Sequence, residues 1–228
     1  MAKKEQNKNK SILTAHQSDI LKAVAGEDYF SKRFYLAGGT ALSEFYLKHR
    51  ISEDLDFFTE NQEVNPFPVL RFFQNRLKKF GIDKIETKQV MGLFTLFLKF
   101  IDGDILKVDF NYYPFPRIER GVKFGNLEVE SIYDIGVDKT HTIVLKPRAR
   151  DFIDLYLILK EKKYDFRELL TQAKAKFDWD ITFIELGARL LEASEMTDYP
   201  RMLKSINHHE WQNFFIKEAK KLKSDVIS

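Results

Sequence analysis

Two short stretches restrict this chain more than any other part of it. One is the apolar run Phe34-Tyr35-Leu36-Ala37 leading into Gly38-Gly39-Thr40-Ala41-Leu42, and the other is Asp54-Leu55-Asp56-Phe57-Phe58 just downstream. The first reads as a buried strand that delivers the chain to a Gly-rich turn. Thr40 is placed to cap a helix running to about Lys48, with Leu42, Phe45 and Tyr46 on its inner face. The second stretch alternates with period two, so Asp54, Asp56 and Phe58 share one side of a strand while Leu55 and Phe57 point into a core. Amides at the mouth of a helix suit a phosphate, and two carboxylates on one strand face suit a hard cation. Each half also has an ordinary structural reading, as a strand-to-helix connection and as a solvated acidic strand.

The segments that follow continue a sheet. Val69, Leu70, Phe72, Phe73, Leu77 and Phe80 have helical spacing that Gly81 stops, as expected of a crossover helix on a sheet. Ile82 to Val90 and Gly92 to Ile101 are strand-like, Asp102-Gly103 marks a hairpin, and Ile105 to Tyr113 forms another strand. In that strand Leu106, Val108, Phe110 and Tyr112 alternate with Lys107, Asp109 and Asn111, which places Asp109 on its polar side. Pro114 and Pro116 end it, and Lys123 to Val129 reads as one more short strand. From about Ser131 the pattern turns helical. Arg150 to Lys160 is amphipathic, and Phe166 to Lys176, Ile181 to Glu192, Arg201 to Ile206 and Trp211 to Lys223 follow, with Pro200 at a helix start. Residues 1–12 read as a disordered basic arm, 13–130 as an α+β core and 131–228 as a helical lobe.

Two Mg²⁺ ions about 3.5–4 Å apart can clamp the attacking and leaving oxygens of an in-line displacement at phosphorus, and carboxylates are the ligands such ions take. Asp54 and Asp56 satisfy the same-face requirement, and Asp109 is the third candidate once its strand lies beside theirs. Composition removes competing chemistries. The 228 residues contain no Cys, which excludes disulfides, thiolate metal sites and a Cys nucleophile and fits a reducing cytoplasm. No apolar run is long enough to cross a bilayer, so a soluble intracellular protein is expected. The net charge of +3 does not by itself call for nucleic acid, and the 21 Phe and 9 Tyr suit an aromatic core. The phosphate-binding Gly-x-x-x-x-Gly-Lys-Ser/Thr pattern is absent, and no Ser-His-Asp arrangement can be assembled.

Gly38-Gly39-Thr40-Ala41-Leu42 followed by His49-Arg50-x-Ser52-x-Asp54-Leu55-Asp56-Phe57-Phe58 resembles the AbiEii/AbiGii family of nucleotidyltransferase toxins. Lys107-Val108-Asp109 resembles that family's third carboxylate strand. Asp138-Lys139 and the stretch from Arg148-x-Arg150-Asp151 to Asp154-Leu155 resemble its later motifs. The resemblance implies an α+β, polymerase-β-like nucleotidyltransferase fold with a mixed sheet, flanking helices and a helical C-terminal lobe. It also implies Mg²⁺-dependent transfer of NMP from an NTP to an acceptor hydroxyl, with tRNA as acceptor and a separate antitoxin protein as partner. Carried over residue by residue, Asp54, Asp56 and Asp109 hold metal, and Gly38, Gly39, Thr40 and Ser52 meet the triphosphate. Lys139 neutralises phosphate charge, while Arg148, Arg150, Asp151 and Asp154 complete the cleft. A catalytically silent nucleotide- or RNA-binding module is the competing expectation, although such proteins usually lose a metal carboxylate and all three are present. An acceptor hydroxyl on a protein or a small molecule is a further alternative.

Overall fold

The computed structural model of the chain describes residues 11–226, with the side chains beyond Leu222 left out of account. Most of the expected basic arm, residues 1–10, lies outside the described residues. Ile12, at its end, donates its amide to Glu44 Oε2 at 2.8 Å. The chain divides into two compact units, one formed by residues up to Pro114 together with Gly121–Glu130, the other by Phe115–Arg120 together with Ser131 onwards. Among the described residues no helix is long and apolar enough to cross a membrane.

The first unit is built on a seven-stranded mixed sheet. Helix α1 (Ala15–Ala25) starts at Thr14, which forms a capping box with Gln17, and a single turn α2 (Asp28–Ser31) leads into β1 (Tyr35–Ala37). After β1 come α3 (Gly38–Ala41), a π-helical segment (Leu42–Leu47) and β2 (Leu55–Thr59). Helices α4 (Pro66–Gln74) and α5 (Leu77–Phe80) precede β3 (Ile82–Val90), β4 (Leu93–Phe100) and β5 (Ile105–Tyr112). Strands β6 (Lys123–Phe124) and β7 (Leu127–Val129) complete the sheet in the order β3-β4-β5-β2-β1-β7-β6. Pairs β2–β5 and β1–β7 are parallel and the others antiparallel.

Aromatic packing holds the helices to this sheet. Phe57 stacks on Phe110 at 5.1 Å between ring centroids, Phe34 meets Phe110 edge-on at 5.1 Å, and Phe30 joins Phe110 and Phe72 at 5.4 and 4.8 Å. Phe30, Phe57 and Phe110 are fully buried or nearly so, and burying a ring of that size contributes about 1.5–3 kcal/mol.

Three expectations for this unit change. Thr40 does not cap the helix after the glycines; Ala37 is the N-cap, the helix starts at Gly38 itself, and its second half is π-helical. The expected single crossover helix is two pieces, because Arg76 leaves helical geometry (φ −125°, ψ 11°) between them. The expected strand from Lys123 to Val129 is a hairpin, turned where Gly125 takes φ +59°.

The second unit is helical: α6 (Ile132–Leu145), α7 (Ala149–Lys162), α8 (Phe166–Phe177), α9 (Phe183–Leu191) with a 3₁₀ turn to Ser194, and α10 (His208–Val226). Phe152 stacks on Trp211 and meets Phe215 edge-on, joining α7 to α10. His141 lies flat on Phe177 at 3.9 Å and edge-on to Trp179. The helix expected over Arg201 to Ile206, with Pro200 at its start, does not form. The segment before it is spent on neighbours instead, since Asp198 accepts the amide of Ala149 at the start of α7 and Tyr199 stacks on His208 at 3.8 Å.

Candidate active site

Strand register sets two of the expected carboxylates side by side and leaves the third just before one of those strands. In the parallel pair β2–β5, Asp56 lies directly beside Asp109 and Leu55 beside Val108, while Asp54 immediately precedes β2. Alternation along β2 buries Leu55, Phe57 and Thr59 and leaves Asp56 and Phe58 half-buried. Asp109 is buried, at 8 % exposure, and its Oδ1 has no hydrogen-bond partner. An unsatisfied buried carboxylate oxygen is costly, and a bound ion or water is one way to satisfy it.

Lys107, two residues before Asp109 on the same strand face, sits among these acids. Its ammonium lies 2.5 Å from Asp109 Oδ2 and 3.5 Å from Asp54 Oδ2. Burial lowers its pKa, but the hydrogen bond to Asp109 and the charges of Asp54, Asp109 and Asp56 outweigh that, and the net shift is upward. Nothing in the sequence resemblance assigned Lys107 a role, although the period-two alternation was enough to put it on the face of Asp109.

The glycines stand against this cluster. Gly38 has φ +68°, and a Cβ there would lie 3.0 Å from Asp56 Oδ2; a Cβ on Gly39 would lie 2.6 Å from the Arg50 guanidinium and 2.8 Å from Ser52 Oγ. Gly38 needs glycine for its backbone angle as well as for close approach, and Gly39 for close approach alone. The amide of Gly38, expected to face a phosphate, instead donates to Glu130 Oε2 at 3.1 Å. Glu130, 1 % exposed, also gives its own amide to Leu36 O and accepts the Tyr46 hydroxyl, so one residue after β7 fastens β1, the turn and the π-helical segment. Glu130 and the buried Arg50, at 3 % exposure, carry no periodicity that would have identified them.

Thr40 requires a correction as a triphosphate ligand. It is fully buried, and its hydroxyl donates to the Asp54 carbonyl at 2.5 Å, so it positions the backbone of Asp54. Ser52 is half-buried beside Gly39, and its carbonyl accepts from Gln17 Nε2 at 2.8 Å.

The remaining candidates lie in the second unit. Lys139 on α6 reaches Asp151 Oδ1 at 2.6 Å and Asp154 Oδ2 at 3.1 Å on α7, and Arg148 Nε reaches Asp151 Oδ2 at 2.9 Å. Asp151 and Asp154 are completely buried, Arg148 is exposed and Arg150 is half-buried in the first turn of α7. A separate group, His16, Asp102 and Asp104, has ligating atoms within 4.8 Å of one another at the β4–β5 turn. Both of its acids are largely exposed, and Asp102 caps the amide of Asp104, so the hairpin accounts for it.

The profile of the family described as "Nucleotidyl transferase AbiEii toxin, Type IV TA system" matches residues 19–219. The chain belongs to the AbiEii family. A protein of Aquifex aeolicus (strain VF5), aq_aa25, is 33 % identical over 151 residues, a match that covers 63 % of this chain and 66 % of that protein. The AbiEii chain also resembles two crystal structures from Helicobacter pylori. One, a candidate nucleotidyltransferase, has a TM-score of 0.59 at 16 % identity, covering 93 % of this chain and 97 % of that one. The other, JHP933, has a TM-score of 0.56 at 17 % identity, covering 91 % and 90 %. At such identity the likeness is one of fold, and it agrees with the α+β nucleotidyltransferase architecture that the AbiEii motifs imply.

Proposed function

We propose that this AbiEii chain is a Mg²⁺-dependent nucleotidyltransferase that moves NMP from an NTP to an acceptor hydroxyl. One observation carries the reading: Asp56, which faces the glycine turn, lies side by side with Asp109 on the neighbouring strand, Asp54 stands two residues before Asp56, and the buried Asp109 Oδ1 is unpartnered. Oxygen donors from two adjoining strands, one with an orphaned oxygen, fit a hard divalent cation. When bound, such an ion polarises the α-phosphoryl oxygens and neutralises charge that develops on the leaving group.

The acceptor oxygen attacks the α-phosphorus in line, the bond to the bridging oxygen breaks, and pyrophosphate leaves with the electron pair. Asp109 orients the acceptor hydroxyl and takes its proton, directly or through water. Gly38 and Gly39 keep the turn free of side chains where the triphosphate approaches, Ser52 donates to a phosphate oxygen, and Thr40 holds Asp54 in place. From the family motifs alone we also assign Lys139, whose ammonium is held by Asp151 and Asp154, to neutralising phosphate charge, together with Arg148 and Arg150. Apart from residues 115–120, which pack with the helices, residues 13–130 would thus form the catalytic core and 131–228 the helical lobe.

Family membership further supports a toxin restrained by a cognate antitoxin protein, and the reading takes tRNA as its acceptor and the cytoplasm as its place of action. Labelled NTPs, Mg²⁺ and total tRNA test this together. Wild type should label tRNA and Asp56→Asn should not; if both are equally inert, tRNA is the wrong acceptor.

A further inference from the structure

Lys107 stands where a divalent ion would have to go. Its ammonium touches Asp109 Oδ2 and approaches Asp54 Oδ2, occupying one oxygen of each acid, while Asp109 Oδ1 remains unpartnered. A Mg²⁺ ion takes carboxylate oxygens at about 2.0–2.1 Å and demands near-octahedral surroundings. An ammonium already in hydrogen-bond contact with those oxygens would sit within about 4 Å of the ion, and two cations at that separation repel strongly where water is partly excluded. The three acids, in turn, need positive charge nearby: Asp109 is buried and Asp54 and Asp56 are half-buried, so without a cation their mutual repulsion would oppose folding.

We propose that Lys107 is the resident cation of this carboxylate cluster, neutralising it in the metal-free protein, and that its ammonium must leave Asp54 and Asp109 for a divalent ion to enter. The inference rests on the metal-binding reading of the three acids given above. It makes Lys107 a positioning residue that sets metal affinity, and it predicts that the protein binds free metal ions weakly because each ion has to displace an internal competitor. A lysine is suited to this exchange, since its flexible stem lets one point charge swing away without disturbing the strand.

The test is Mn²⁺ titration of the full chain by calorimetry, with thermal unfolding followed in EDTA and in saturating Mg²⁺. Lys107→Met should bind Mn²⁺ at least about tenfold more tightly than wild type, because an adjacent positive charge has been removed. Its unfolding midpoint should fall by roughly 2–4 °C in EDTA and recover to that of wild type in Mg²⁺. Lys107→Gln, which keeps the length and a donor but not the charge, should behave the same way and serves if the Met variant folds poorly. Unchanged or weaker Mn²⁺ binding in both variants, or an equal loss of midpoint with and without Mg²⁺, overturns the inference and leaves Lys107 an ordinary ion-pair partner. Asp109→Asn separates the two layers of reading. If it abolishes Mn²⁺ binding while the Lys107 variants bind like wild type, only the role of Lys107 fails; if neither wild type nor the Lys107 variants bind Mn²⁺, the metal site itself fails.

Discussion

The acids of β2 and β5 and the acids of α6 and α7 are both packed among lysines, yet they are finished differently. In the helical unit, Asp151 is completely buried and each of its oxygens has a cation, Lys139 on one side and Arg148 on the other. Asp134 nearby accepts from Ser131 and from the amides of Ile118 and Glu119. In the sheet, Lys107 is shared between Asp54 and Asp109, and one buried oxygen of Asp109 has nothing to accept from. Satisfied buried charges specify a packing arrangement and are expensive to break, whereas an unsatisfied one is retained at a stability cost and calls for a ligand. The contrast shows that charge clustering alone is a poor guide to a site; what separates the two regions is which donors and acceptors remain unmatched.

The sharpest way to break this comparison is to neutralise one acid in each region. Asp56→Asn should reduce nucleotidyl transfer by at least about a thousandfold while the unfolding midpoint in EDTA is not lowered, since one negative charge leaves a crowded set. Activity within tenfold of wild type would remove Asp56 from the chemistry. Asp151→Ala should do the reverse in stability, costing about 3–5 kcal/mol in urea unfolding followed by circular dichroism, because Lys139 and Arg148 lose a buried partner. A stability loss no larger for Asp151→Ala than for Asp56→Asn would erase the distinction. Gly39→Ala comes next, with about 1–3 kcal/mol of destabilisation and a raised KM for NTP, as Arg50 and Ser52 must shift to admit the methyl group.

The smallest effect concerns His141, whose pKa burial, with a lesser push from Lys176, holds below its ordinary 6.5. The unfolded chain therefore takes up this proton more readily than the folded one. The contribution of His141 to stability is present above about pH 6.5 and is lost as pH falls through that value toward its depressed folded pKa. Chemical unfolding of wild type and His141→Phe across that range should show a shallower acid-side decline in the variant.

Local patterns made much of the sheet legible. Leu55 to Thr59 is half-buried with the alternation its residues spell out, and the β4–β5 hairpin has the turn that Asp102-Gly103 announces. What local pattern cannot contain is register between strands distant in sequence. The alignment of Asp56 with Asp109 depends on a parallel pairing across the whole β3–β4 hairpin, and Glu130 reaches Gly38 only because β7 runs parallel to β1. The Thr40 cap does not form because a glycine at φ +68° entering the helix leaves Thr40 inside it, where its hydroxyl serves Asp54. Pro200 looked like a helix start, but the segment around it is committed through Asp198 and Tyr199 to other helix ends. Lys107 was within reach of the same alternation that located Asp109, and only its partners gave it meaning.

The route of the chain between its two units has an evolutionary consequence. Residues 115–120 belong to the helical unit, the chain then returns to the sheet for 121–130, and it leaves again at Ser131. No single cut separates the two parts: ending the chain at Glu130 would strand Ile118 and Glu119 without the Asp134 carboxylate that receives their amides. Neither unit is a contiguous cassette. Recombination at one breakpoint cannot exchange the helical unit whole, because residues 115–120 would stay behind with the sheet.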